Sequence, residues 1–109
     1  MAEQERIAEF REVLELMPED PDVRFGLAGA YLAAEQFESA VAEYREAIRL
    51  KPDYSAAYRG LGRSLERVAR LDEAKAAYAK GLDVATQNGD LQTKKEIEVF
   101  LRRLEAPGP

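Results

Sequence analysis

The chain repeats itself at an interval of 34 residues, and this constrains its fold more than any other feature. Ala8-Glu9-Phe10-Arg11-Glu12-Val13-Leu14-Glu15-Leu16-Met17-Pro18 returns as Ala42-Glu43-Tyr44-Arg45-Glu46-Ala47-Ile48-Arg49-Leu50-Lys51-Pro52. A further shift by the same interval places Gly26-Leu27 on Gly60-Leu61, Ala40 on Ala74, Ala42 on Ala76 and Tyr44 on Tyr78. The coincidences fall where packing demands small or bulky groups. One such unit cannot bury its own apolar face, so stacking on its neighbours must do so.

Within each unit the apolar spacing is helical. Leu27, Ala28, Tyr31 and Ala34 predict a helix over 21–34, and Phe37, Ala40, Val41, Tyr44, Ala47 and Ile48 predict another over 37–50. The next unit repeats this with Tyr58, Leu61, Gly62 and Leu65, then Leu71, Ala74, Tyr78, Gly81 and Leu82. Asp20-Pro21 reads as a cap followed by proline at the first helical position, and Asp53 as the cap of the next unit. Pro18 and Pro52 bar helix continuation. Asn88-Gly89 reads as a helix end that accepts the left-handed conformation.

The pattern resembles the tetratricopeptide repeat, a 34-residue helix–turn–helix unit. Leu27, Ala28, Tyr31, Ala40, Tyr44, Ala47 and Pro52 carry the resemblance in residues 21–54. Tyr58, Leu61, Gly62, Leu65, Ala74, Tyr78 and Gly81 carry it in 55–88. Residues 1–20 read as the second helix of a unit without its first, and Arg6 stands where the full units have Ala40 and Ala74. Residues 89–105 predict a capping helix with Ile97, Phe100, Leu101 and Leu104 on one face, in a register that does not match a third repeat. Residues 106–109 read as a tail. The expected fold is all-α, a short right-handed superhelix of antiparallel helix pairs with about six helices. Departures from the family pattern concentrate in the turns. Glu35-Gln36 and Ala69-Arg70 stand where it favours Gly and Asn or Asp, and Thr86 replaces the closing proline.

Composition narrows the function. The chain has no cysteine and no histidine, which removes thiolate chemistry, the commonest general base and the usual zinc ligands. No Gly-x-Gly-x-x-Gly loop follows a strand, and no calcium-loop spacing occurs. The clusters Glu3-Glu5-Glu9-Glu12 and Glu43-Glu46 read as solvated helix faces. The expectation is a protein that is not an enzyme and uses no cofactor or metal. The acidic start, Met1-Ala2-Glu3-Gln4-Glu5-Arg6, is not a secretory signal, and no apolar run is long enough to span a membrane. A cytoplasmic location is expected. A net charge of −5 argues against nucleic acid as a partner. The charge is uneven: residues 1–54 hold 6 basic and 13 acidic groups, and residues 55–109 hold 10 basic and 8 acidic.

The resemblance implies an adaptor that binds a protein or peptide in a concave groove lined by the first helices of the units. Arg59, Arg63 and Arg67, spaced i, i+4, i+8, would form a cationic stripe there that favours an acidic ligand. The alternative is a solvated face with Arg63 paired to Glu66. Gly26, Gly29 and Gly60 would leave room for a ligand backbone, or else serve tight helix packing. Phe25, Leu32 and Ala33 would add an apolar anchor site. The family's carboxylate clamp is absent, because its positions hold Phe25, Gly29 and Gly60 and a third unit is missing. A second expectation is self-assembly, in a symmetric dimer, through an uncovered face of the first helix bearing Ile7, Phe10, Val13 and Leu14.

Overall fold

The computed structural model describes residues 2–106, so Met1 and the expected tail at 107–109 lie outside it. Among the described residues there are six helices and no strand: α1 (Ala2–Leu16), α2 (Pro21–Ala33), α3 (Phe37–Leu50), α4 (Ser55–Arg67), α5 (Leu71–Asn88) and α6 (Leu91–Glu105). Each helix packs against the next in the chain. In addition α2 touches α4 and α4 touches α6, whereas the backbones of α1, α3 and α5 stay apart, α3 and α5 meeting only through side chains such as Arg45 and Glu73 at 3.4 Å. The even-numbered helices therefore form a closed inner layer and the odd-numbered helices a splayed outer one. The result is the all-α solenoid that the repeat predicts.

Local chemistry sets the helix ends. Asp20 Oδ1 accepts from the backbone N–H of Asp22 at 2.8 Å and of Val23 at 3.1 Å, and Pro21 opens α2. Asp53 does not cap α4, contrary to the expectation. Tyr54 occupies the N-cap without a side-chain bond, and the Asp53 carbonyl instead accepts from the Asn88 side chain at 2.8 Å. With threonine at position 86 and no proline to stop it, α5 runs for 18 residues against 14 in α3 and ends at Gly89, φ 72°. The two turns inside the units demand what their residues resist: Glu35 and Ala69 both sit at φ 60°.

Three rings at one repeat position organise the core. Phe10 fills the space over Gly26, Tyr44 the space over Gly60, and Tyr78 the space over Gly62. A Cβ at any of these glycines would overlap the ring facing it. Leu27, Leu65, Ile97 and Tyr78 are the large side chains sealed beneath. Ala28, Ala40, Ala47, Ala57 and Ala74 let the helix backbones approach.

The face expected to drive dimerisation is mostly internal. Ile7 is buried against Leu27 and Ala30, and Phe10 and Leu14 pack on the same cluster. Only Val13 of that set is exposed. The apolar surface of this end is instead Val13, Leu16 and Met17. The register of α1 explains the difference, since its apolar stripe is consumed by covering α2 and its last turn projects beyond it.

Candidate functional site

The inner layer of α2, α4 and α6 forms the concave side. Phe25 on α2 is half-buried, its ring stacked on Tyr54 at 4.8 Å and edge-on to Tyr44 at 5.8 Å. Leu32 packs partly against the same core, and Ala33 is exposed at the end of α2. Gly29 alone of the three groove glycines is open. The nearest group to a Cβ placed there is the Tyr44 hydroxyl at 3.8 Å. Gly26 and Gly60 do not leave room for a ligand, because Phe10 and Tyr44 occupy that room.

The three arginines of α4 do not act as one stripe. The Arg59 guanidinium donates to Glu96 of α6 at 2.7 Å and lies 3.5 Å from the Thr93 hydroxyl. Arg67 pairs with Glu35 at 3.3 Å and covers the Phe37 ring at 4.4 Å. Arg63 lies over Phe100 of α6, 5.1 Å from the ring centroid, and has no carboxylate partner among the described residues. The Arg63–Glu66 pair weighed from sequence does not form. Glu66 accepts from the Tyr78 hydroxyl and from Arg103, the latter at 3.2 Å. A drift of 40° per four residues turns the ends of the row toward different neighbours, which the spacing alone conceals.

Tyr44 is the groove residue that sequence reasoning missed. Its ring belongs to the core, yet its hydroxyl emerges beside Gly29 and makes no hydrogen bond to another described residue. Burial raises its pKa, and the charges of Arg59 and Arg63 pull it partly back. The available signal was the sixteen-residue step from Tyr44 to Gly60, the same as from Phe10 to Gly26. The acidic clusters are ordinary surface. Glu43 pairs with Arg24 at 2.9 Å, and the Arg49 hydrogen bond holds Glu46 below the usual carboxylate range. Among the described residues no group of acidic side chains is arranged to hold a metal, and no helix is long and apolar enough to cross a membrane.

Residues 7–45 match the tetratricopeptide repeat family, and residues 28–68 match the TPR repeat family. A TPR repeat-containing protein of Pseudomonas aeruginosa, PA0015, is 37% identical over 83 residues, 76% of this chain and 79% of that one. The chain belongs to the tetratricopeptide repeat family. A solution structure of a Bordetella parapertussis protein, BPP2914, shares this repeat fold at a TM-score of 0.79 and 35% identity, over 90% of this chain and 85% of that one. The first TPR of Spaghetti bound to the HSP90 peptide SRMEEVD superposes with a TM-score of 0.84 at 24% identity, covering 94% of this chain and 77% of that one. At that identity the likeness establishes the tetratricopeptide fold.

Proposed function

We propose that this tetratricopeptide repeat protein is a non-catalytic interaction module that holds a peptide or partner segment in the groove of α2, α4 and α6. The observation that carries the reading is Arg63. It is an exposed cation on the inner layer without a carboxylate partner among the described residues, lying over the Phe100 ring, and its charge, after that of Arg59, opposes the rise that burial gives the Tyr44 phenol. An ionised Arg and a phenol beside the open Gly29 offer donors to a carboxylate and space for the chain that bears it. Phe25, Leu32 and Ala33 supply apolar surface along the same wall. The reading is supported by a fold neighbour that holds an acidic peptide, SRMEEVD. Arg59 and Arg67 contribute by shaping the groove, through Glu96 and Glu35, and not as direct ligands.

The test is fluorescence anisotropy with dye-labelled short peptides ranging from neutral to acidic, SRMEEVD among them, on the native chain and on Arg63→Glu. Affinity rising with acid content and falling about tenfold or more in the variant, roughly 1.4 kcal/mol, is the expected result. Equal binding of neutral and acidic peptides, or an Arg63→Glu variant that binds as before, would overturn it. Arg63 is the clean probe because its substitution breaks no ion pair with a described residue.

A further inference from the structure

Among the described residues an inner helix lacks an outer partner at one end, and an outer helix lacks an inner partner at the other. The inner helix α6 lies on α5 and touches α4, as α4 lies on α3 and touches α2. Among the described residues nothing packs on α6 as α5 packs on α4. At the opposite end α1 lies on α2 in the place of an outer helix, and no described residue stands to it as α2 stands to α3. We propose that copies of this chain stack head to tail, with α1 of one copy packing on α5 and α6 of the next and completing the helix pair that α6 begins.

The surface recesses show the vacant place. Arg11, Leu27, Tyr31 and Glu43 line a recess shared by α1, α2 and α3. Exactly one repeat interval along, Arg45, Leu61, Leu65 and Ala77 line its equivalent between α3, α4 and α5. A third recess is walled by Leu82 of α5 and by Glu98, Leu101, Arg102 and Glu105 of α6. Its remaining wall, which α3 and α5 provide in the other two, comes from no described residue.

The uncovered surface of α1 has the matching shape. Ala40 and Ala47 of α3 are fully buried, and their equivalents one interval earlier, Arg6 and Val13, are exposed. Leu16 and Met17 at the end of α1 are 84% and 46% exposed, and Leu91 at the start of α6 is 64% exposed. In the complete pair the end of α5 lies beside the start of α4, where Asn88 donates to the Asp53 carbonyl. The same docking between copies brings Leu16 and Met17 onto Leu91 and covers Leu101 with α1.

Charge selects this arrangement over a symmetric one. Helix α1 carries five glutamates against two arginines, and α6 four basic residues against three glutamates. The two helices carry net charge of opposite sign and attract each other in the stack. Two α1 helices brought together would instead oppose like charge and leave α6 bare. A head-to-tail contact leaves a free end at each step, so assembly continues past the dimer.

Sedimentation velocity on the native chain, on Leu16→Glu and on Leu91→Glu, with circular dichroism to verify helicity, tests this. Both substitutions fall on exposed side chains, one on each surface. The native chain should gain mass with concentration beyond a dimer, and each variant alone should stay monomeric. An equimolar mixture should form a terminated one-to-one pair, because Leu16→Glu retains an intact α6 and Leu91→Glu an intact α1. A native chain that stays monomeric, a Leu91→Glu variant that associates like the native chain, or a mixture that does not pair would overturn the proposal.

Discussion

The Phe10 ring stands where a side chain at position 26 would begin, which makes Gly26 the contact through which α1 is seated on α2. The same relation holds one interval later between Tyr44 and Gly60. Glycine inside a helix costs about 1 kcal/mol relative to alanine, so these positions oppose helix propensity to packing. Gly60→Ala should destabilise by about 1–3 kcal/mol, because the Tyr44 ring is locked in the core and must be displaced. Gly26→Ala should also destabilise and loosen α1. Gly29→Ala meets only the Tyr44 hydroxyl at 3.8 Å and should stabilise by up to about 1 kcal/mol. Urea denaturation of the three variants checks the opposite signs.

Glu35 and Ala69 hold left-handed backbone that costs a residue with a Cβ roughly 1–2 kcal/mol. Ala69→Gly should raise the thermal midpoint, the gain being reduced by the larger entropy of glycine in the unfolded chain. Glu35→Gly should do the same with a smaller margin, since it removes the exposed pair with Arg67. A fall in midpoint for Ala69→Gly would show that the turn is not strained.

Asp90 ties α6 to α4. Its carboxylate accepts from the Ser55 hydroxyl at 2.6 Å and from the Thr93 N–H at 3.2 Å, and these bonds, the Ser55 one foremost, hold its pKa below the usual range. A depressed carboxyl pKa favours the fold at neutral pH and loses that contribution as pH falls through about 4 and below. Asp90→Asn should flatten this acid limb, and Asp90→Ala should cost about 1 kcal/mol at neutral pH through the lost cap. Thermal melts across pH 2–7, a span of about five units around the usual carboxylate range, resolve the two.

Tyr78 behaves in the opposite sense. Burial first, and then the hydrogen bond to Glu66, push its phenol well above the ordinary value. Its contribution is complete below pH of about 10 and is lost as pH rises toward the folded value. Tyr78→Phe should cost about 1 kcal/mol at neutral pH and make the alkaline decline shallower, a slope that Tyr44, Tyr54 and Tyr58 still share.

Arg59 and Glu96 join the inner helices through a half-buried pair. A double-mutant cycle of Arg59→Ala and Glu96→Ala should give a coupling of about 1 kcal/mol that shrinks with salt. A coupling of zero would mean that α6 is seated without this pair, by its apolar face with Ile97 and Phe100 and by the Asp90–Ser55 bond.

The six helices were legible in the sequence because the repeat interval and the 3.6-residue period are properties of neighbouring positions. Pro18, Pro52, Asp20 and Gly89 act on their own backbone, and their effect can be read without knowing what lies across the core. Asp53 is not the cap because α4 starts at Ser55 with Tyr54 at its N-cap, and the Asp53 carbonyl is held from 35 residues away by Asn88. The site was less legible for the same reason. Spacing put Arg59, Arg63 and Arg67 in a row, but Glu96, Phe100 and Glu35 decide where each guanidinium rests. Phe10 and Ile7 looked like an open face until α2 was seen to cover them. Periodicity determined which residues are helical and apolar. Only the tertiary structure decided which were already engaged, because a side chain's partners come from whichever segments the stacking brings alongside it.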